Sequence, residues 1–137
     1  MAERSWGALM PGAVLAERLV ALHEGRVDGA RVALDFRRSV VLVPTRGGEP
    51  LAGELGGIQW LYAFTGEEAL ARYAEVAGLG PEVAYLTVYG SRLLDVAVPA
   101  MGVPTGVAVD VAGPAPFLLP PVRGVVPDAV AVAVDRG

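Results

Sequence analysis

The sequence predicts an α/β fold, a mixed and partly parallel sheet of four or five strands with three or four helices. Three observations carry that expectation. From Ile58 to Phe64 the bulky residues Ile58, Trp60, Tyr62 and Phe64 fall at every second position, the period of a pleated strand. A helical pattern follows at once, with Leu70, Tyr73, Ala74 and Ala77 at helical spacing and Gly78 as a left-handed stop. Strand-like and helix-like stretches then alternate along the chain, the arrangement that packs helices on a sheet containing parallel strands.

Taken in order, residues 1–10 form an arm whose Trp6, Leu9 and Met10 are more apolar than a tail needs, so Trp6 either packs on the chain's own core or docks on a partner. A helix is expected from Pro11 or Gly12 to about Glu24, with Leu15, Leu19 and Leu22 on one face. His23 sits near its C-terminal end, where an imidazolium suits the helix dipole. After the turn Asp28-Gly29, Val32 and Phe36 mark a short helix over Ala30 to Arg38, and Arg37-Arg38 read as its dipole-favoured, solvated end. Ser39 to Pro44 is an apolar strand that the proline stops and that pairs with the Trp60 strand. Thr45 to Gly57 is a flexible, exposed glycine-rich link whose spacing matches neither a phosphate loop nor a dinucleotide fingerprint.

The Trp60 strand carries Gln59, Leu61 and Ala63 on its second face, also mostly apolar, which places it inside the sheet with both faces covered. Thr65 and Glu68 have the spacing of a capping box for the helix that follows. Val83 to Val88, with Tyr85, reads as another strand, and Ser91 as the N-cap of a helix from Arg92 to about Met101 that ends near Pro99 and Gly102. Gly106 to Val111 alternates as a strand. The proline-punctuated run 112–121 is extended, and its Phe117, Leu118 and Leu119 either plug the core or present a ligand to another protein. The tail 125–137 alternates valine with alanine as a last strand; left as an open edge it would invite a second chain. The organisation expected is one domain over 1–137, with its core at about 14–121, the arm 1–10 and the strand or tail 125–137.

Composition narrows the function more by what is missing than by what is present. The 137 residues are 53% hydrophobic and 19% charged, which favours a folded domain over disorder. A net charge of -4 without a single lysine gives phosphate backbones or anionic lipid little to hold, so neither nucleic acid nor membrane is an expected partner. No cysteine, no lysine and one histidine remove thiolate nucleophiles, Schiff bases and paired-histidine metal centres. No catalytic, cofactor or metal site is predicted. Met1-Ala2-Glu3-Arg4 is not a basic leader and the later apolar run is broken by Pro99, Pro104 and Asp110, so a soluble cytoplasmic protein is expected.

Ser39-Val40-Val41-Leu42-Val43-Pro44, a glycine-rich loop and then Leu61-Tyr62-Ala63-Phe64-Thr65-Gly66-Glu67-Glu68-Ala69-Leu70, all behind a leading helix, resemble the N-terminal domain of SseB-like proteins over roughly residues 14–121. The chain departs from the family pattern at one turn: family members commonly place Asn-Pro-Gly after the last core strand, where this chain has Asp110-Val111-Ala112-Gly113-Pro114. The resemblance implies an α/β domain without established catalytic residues, sometimes linked to specialised secretion.

Two function classes follow. The first is a non-catalytic protein-interaction or accessory module, in secretion or stress physiology, contacting its partner through Trp6, Phe117, Leu118 and Leu119. The second is a small-molecule-binding protein or carboxylate-based hydrolase drawing on Glu67 and Glu68, or on Asp95 with Tyr89 and Arg92. Adjacent Glu67 and Glu68 are more simply first-turn acids facing a positive helix end. The apolar arm and tail separately predict self-association as a homodimer.

Overall fold

The computed structural model describes residues 12–132. Helices α1 (Gly12–His23) and α2 (Gly29–Arg38) form where their apolar spacing places them. Leu15 and Leu19 of α1 are buried with Val32 and Phe36 of α2. Asp28 caps α2 by accepting the Arg31 backbone N–H at 2.9 Å. One charged side chain enters this contact: Asp35 is buried, with Arg18 Nε of α1 at 3.7 Å and Arg31 Nε at 3.8 Å, and its Oδ2 makes no hydrogen bond, so what links α1 to α2 here is the attraction of guanidinium charges at ion-pair distance.

Strand β1 (Val40–Arg46) runs through Pro44 instead of stopping there. Thr45 donates to Ala84 on one side of β1, while the Pro44 carbonyl accepts from Leu51 on the other. The missing proline N–H therefore does not face the ladder that Thr45 continues, and the strand tolerates it. The glycine-rich link that follows is a folded pair of hairpins. It supplies β2 (Glu49–Pro50), antiparallel to β1, and β3 (Ala52–Leu55), antiparallel to β4 (Ile58–Ala63). Gly47-Gly48 and Gly56-Gly57 form the two turns with φ of 62, 85, 65 and 81°, the positive values that a two-residue hairpin of matching twist needs at both central positions. With these hairpin strands the chain holds two sheets, one of three strands and a mixed one with the four strands expected.

The strands form orders β2-β1-β5 and β3-β4-β6-β7, where β5 is Tyr85–Tyr89, β6 Thr105–Val109 and β7 Phe117–Leu119. β4 and β6 are parallel and the fold is α/β with a mixed sheet, as the alternation of elements implied. β1 does not pair along the Trp60 strand; its long partner is β5, antiparallel from Val40↔Tyr89 to Pro44↔Tyr85. β1 and the end of β4 meet only where Leu42 and Phe64 exchange two backbone bonds of 2.8 Å.

Val41, Val43, Leu61, Ala63, Val107 and Val109 share the core with α1, α2 and the helix over 90–100. Helix α3 (Glu67–Ala77) packs against Tyr62 and Phe64, with the Tyr73 ring 5.1 Å from each of their centroids. β4 is thus an interior strand covered on both faces. Its deepest residues are Leu61 and Ala63, while Trp60 and Tyr62 are half-buried. The 90–100 helix comprises α4 (Gly90–Arg92), a π turn Leu93–Ala97 and α5 (Val98–Ala100). It starts before Ser91, which is therefore not its cap; Tyr89 holds that position without a side-chain bond. In the π turn Val98 N–H reaches the carbonyl of Leu93, five residues back, and Pro99, next along, has no N–H to give.

The segment after β6 is not a plain strap, because Phe117–Leu119 hydrogen-bonds along β6 as β7. Within 125–132 the expected last strand is absent: Asp128–Val130 is a single 3₁₀ turn. The remaining tail 133–137 and the arm with Trp6 lie outside the described residues.

Gly106 of β6 leaves room for the Trp60 ring, whose Cζ3 would sit 2.6 Å from an added β-carbon, as would the Leu119 carbonyl. Gly106→Ala is expected to lower stability by about 1–3 kcal/mol, measured by urea unfolding, because both neighbours belong to paired strands that cannot step aside.

Candidate functional site

The carboxylates singled out as catalytic candidates fall in two places: Glu67 and Glu68 border a hollow of about 410 Å³ with Thr65, Arg72 and Asp110, and Asp95 is not among its walls. Glu67 opens α3 and accepts the Tyr85 hydroxyl at 2.6 Å, and Glu68 beside it is exposed. Asp95 lies on the 90–100 helix and is held by Arg37 at 2.5 and 3.3 Å, so Arg37 closes an ion pair between that helix and α2 and is not merely a solvated end. Tyr89 ends β5, and Arg92 borders a shallow hollow of about 140 Å³ with Leu86, Val88 and Val96. His23 places Nε2 2.7 Å from the Pro116 carbonyl, a contact that fixes the segment entering β7. Among the described residues no group of three or more histidine, cysteine, aspartate or glutamate side chains could hold a metal ion. No helix there is long and apolar enough to cross a membrane.

What the fold does present is the outer edge of β5, Tyr85-Leu86-Thr87-Val88-Tyr89. Among the described residues no strand pairs with it on that side. Thr45 donates to Ala84 and Gly90 donates to Ser39, so Ala84 and Gly90 turn their bonding groups toward β1. With a period of two, Leu86 and Val88 do the same, and the N–H and C=O groups of Tyr85, Thr87 and Tyr89 point outward. The side chains are exposed as well: Tyr85 37%, Leu86 49% and Tyr89 41%. Hollows flank the edge on both faces. On one, Leu86 and Val88 meet Val96 and Arg92; on the other, Tyr85 and Val83 face Leu70, Ala71 and Ala74 of α3 across a groove of about 760 Å³. An uncharged, proline-free strand with a free row of backbone groups is the shape that accepts another strand.

A second cluster lies at the C-terminal ends of the parallel strands. Thr65 is not the helix cap: Gly66 occupies that position, and both Thr65 donors go elsewhere. The Thr65 N–H donates to Asp110 Oδ1 at 2.9 Å and its hydroxyl to Oδ2 at 2.8 Å. Asp110 is buried and takes a positive φ of 52°, a conformation that aspartate and asparagine tolerate better than most residues. Burial pushes its carboxyl above the ordinary aspartate range, against the Thr65 bonds and the Arg72 charge, which pull it down. This clasp locks the β4 and β6 ends together. It was invisible in a local pattern, because the partner of Thr65 lies 45 residues along the chain.

Of the residues predicted to meet a partner, Leu119 is buried and Phe117 packs against the core, leaving Leu118 exposed at 53%. Sequence reasoning passed over Leu86 and Thr87 and named Tyr89 only as a companion of Asp95 and Arg92; the absence of charge and proline between Val83 and Tyr89 was the available signal.

Two measurements check these geometries. Asp110's raised pKa means that its contribution to stability is full below the ordinary aspartate pKa and declines as pH rises through the raised value. Asp110→Asn is expected to remove that decline and stay within about 1 kcal/mol of the parent, whereas Asp110→Ala, which strands the Thr65 N–H, loses about 1–3 kcal/mol; unfolding across the acid range tests both. The hydrogen bond to Glu67 holds the Tyr85 phenol above the usual tyrosine pKa, so the bond's contribution is present below that usual value and lost as pH climbs through the raised one. Glu67→Gln should bring the Tyr85 titration, followed by phenolate absorbance, back down.

No curated protein and no solved structure matches this chain. A family model does, described as SseB protein N-terminal domain and covering residues 15–123, from the middle of α1 past β7. With most of its length inside that match, and with the α/β architecture just described, the chain belongs to the SseB N-terminal domain family.

Proposed function

We propose that the chain is a non-catalytic protein-interaction module that receives an extended segment of a partner along β5. The outward Tyr85, Thr87 and Tyr89 backbone groups carry this reading, since they give a partner strand hydrogen bonds while the hollows on either face receive its side chains. The engagement of the carboxylates supports the same side of the question: Glu67 is engaged by Tyr85, Asp95 by Arg37 and Asp110 by Thr65. Glu67, Glu68 and Asp110 border one hollow of about 410 Å³ with Thr65 and Arg72, and there both Asp110 oxygens are taken up by Thr65. An accessory or regulatory role beside specialised secretion or in stress physiology, in the cytoplasm, is the setting this reading takes from the family likeness.

Thr87→Pro tests it, because it deletes one outward N–H and leaves the β1 ladder intact. A partner captured from native lysate by the parent chain should be lost with Thr87→Pro and retained with Leu118→Glu. Capture that is indifferent to Thr87→Pro, or turnover of a substrate by the purified chain, would sink the reading.

A further inference from the structure

We infer that a second copy of this chain occupies the β5 edge, antiparallel, about a two-fold axis through Thr87. The inference rests on the reading of β5 as a docking edge and names its occupant. Tyr85-Leu86-Thr87-Val88-Tyr89 is close to a palindrome in side-chain type: tyrosine, aliphatic, threonine, aliphatic, tyrosine. An isologous contact requires such self-complementarity, because residue i of one copy must suit residue j of the other and the reverse. Setting the outward groups of Thr87 against those of Thr87 in the second copy aligns Tyr85 with Tyr89 and Leu86 with Val88. Every outward donor of β5 then meets an acceptor. The opposed side chains are threonine on threonine, ring on ring and aliphatic on aliphatic, pairs that favour strand association, and no charge meets its like.

The charges around the strand agree with the antiparallel direction. Its N-terminal end carries Glu82 and, bonded to Tyr85, Glu67. Its C-terminal end leads into Arg92 and abuts the end of α2: Gly90 donates to Ser39, placing exposed Arg38 close by. A two-fold axis at Thr87 brings the acidic end of each copy to the basic end of the other. A parallel arrangement would bring acid to acid and base to base. The dimer joins the β1-β5 pair of each copy into one continuous sheet and covers Leu86, Tyr85 and Tyr89, the exposed apolar side chains of the edge.

The chain contains no cysteine, so single-cysteine variants report the register without interference. Thr87 stands on the axis and faces its own copy at a Cα separation of about 5.5 Å. Thr87→Cys should be driven from the one-chain to the two-chain band by a short bifunctional thiol reagent. Tyr85→Cys and Tyr89→Cys should each remain single alone, since like positions lie more than roughly 13 Å apart along the strands, yet link to each other when mixed. By sedimentation velocity the parent chain should be a dimer that added salt weakens, and Thr87→Pro, folded by circular dichroism, should be a monomer. A monomeric parent at the highest soluble concentration overturns the inference, as does self-linking of Tyr85→Cys or linking of exposed Leu118→Cys as fast as Thr87→Cys. These outcomes are read on purified chain, apart from capture in lysate, so loss of the second copy and loss of the docking edge are told apart.

Discussion

The two backbone bonds between Leu42 and Phe64 are the joint on which the rest of this fold turns. They are the meeting point of β1 and β4, and past them the two strands part company, leaving a wedge that β2 and β3 fill. The joint is tight: α1 begins directly over it, with Gly12 so close to the Thr65 and Val40 carbonyls that no β-carbon fits. Holding β1 by one bridge on that side leaves its other side to β5, and β5 then terminates the sheet. The same joint delivers Phe64 to Tyr73 of α3 and Thr65 to Asp110, so the α3 groove and the strand-end clasp are positioned by it too.

Much of this was readable from local pattern, and what was not failed for definable reasons. The period of two in Ile58–Phe64 and the helical spacing in α1, α2 and α3 are imposed by burial on one face, which a sequence displays directly. Glycine pairs display flexibility equally directly, yet at Gly47-Gly48 and Gly56-Gly57 the same freedom is what makes two ordered turns possible. Thr65 had the right neighbours for a cap, but Gly66 takes the cap position and Thr65 gives its N–H and hydroxyl to a distant buried carboxylate, charge-assisted bonds that no local pattern displays. Pro44 reads as a stop only if the side that its nitrogen faces needs a donor there. Which strand lies at an edge is a property of pairing, and pairing is not local, so β5 could be found as a strand without being recognised as a border.

The charged residues serve the fold as ties between its elements. Each of the prominent carboxylates joins two elements: Asp35 links α2 to α1, Asp95 links the 90–100 helix to α2, Glu67 links α3 to β5, and Asp110 links β6 to the end of β4. In a chain with only 19% charged residues, acids used as ties between elements are already engaged: of the three that border one hollow, Glu67 is bonded by Tyr85 and Asp110 by Thr65. Reactive sites need the reverse, groups of strained ionisation brought within reach of one reacting atom. Asp110 is the nearest approach, and its two oxygens are both engaged by Thr65.

How the chain treats its sheet borders carries the argument one step further. β7 is three residues long and follows Pro116 directly, with Pro120 and Pro121 after it, and proline on a border blocks further pairing. β5 is longer, with no proline between Pro81 and Pro99 and no charge on the strand itself. An open border is an aggregation hazard unless something defined covers it, and the two ends of the sheet differ in how far they guard against it. On the reading proposed above, one end is protected against strands in general and the other receives one in particular.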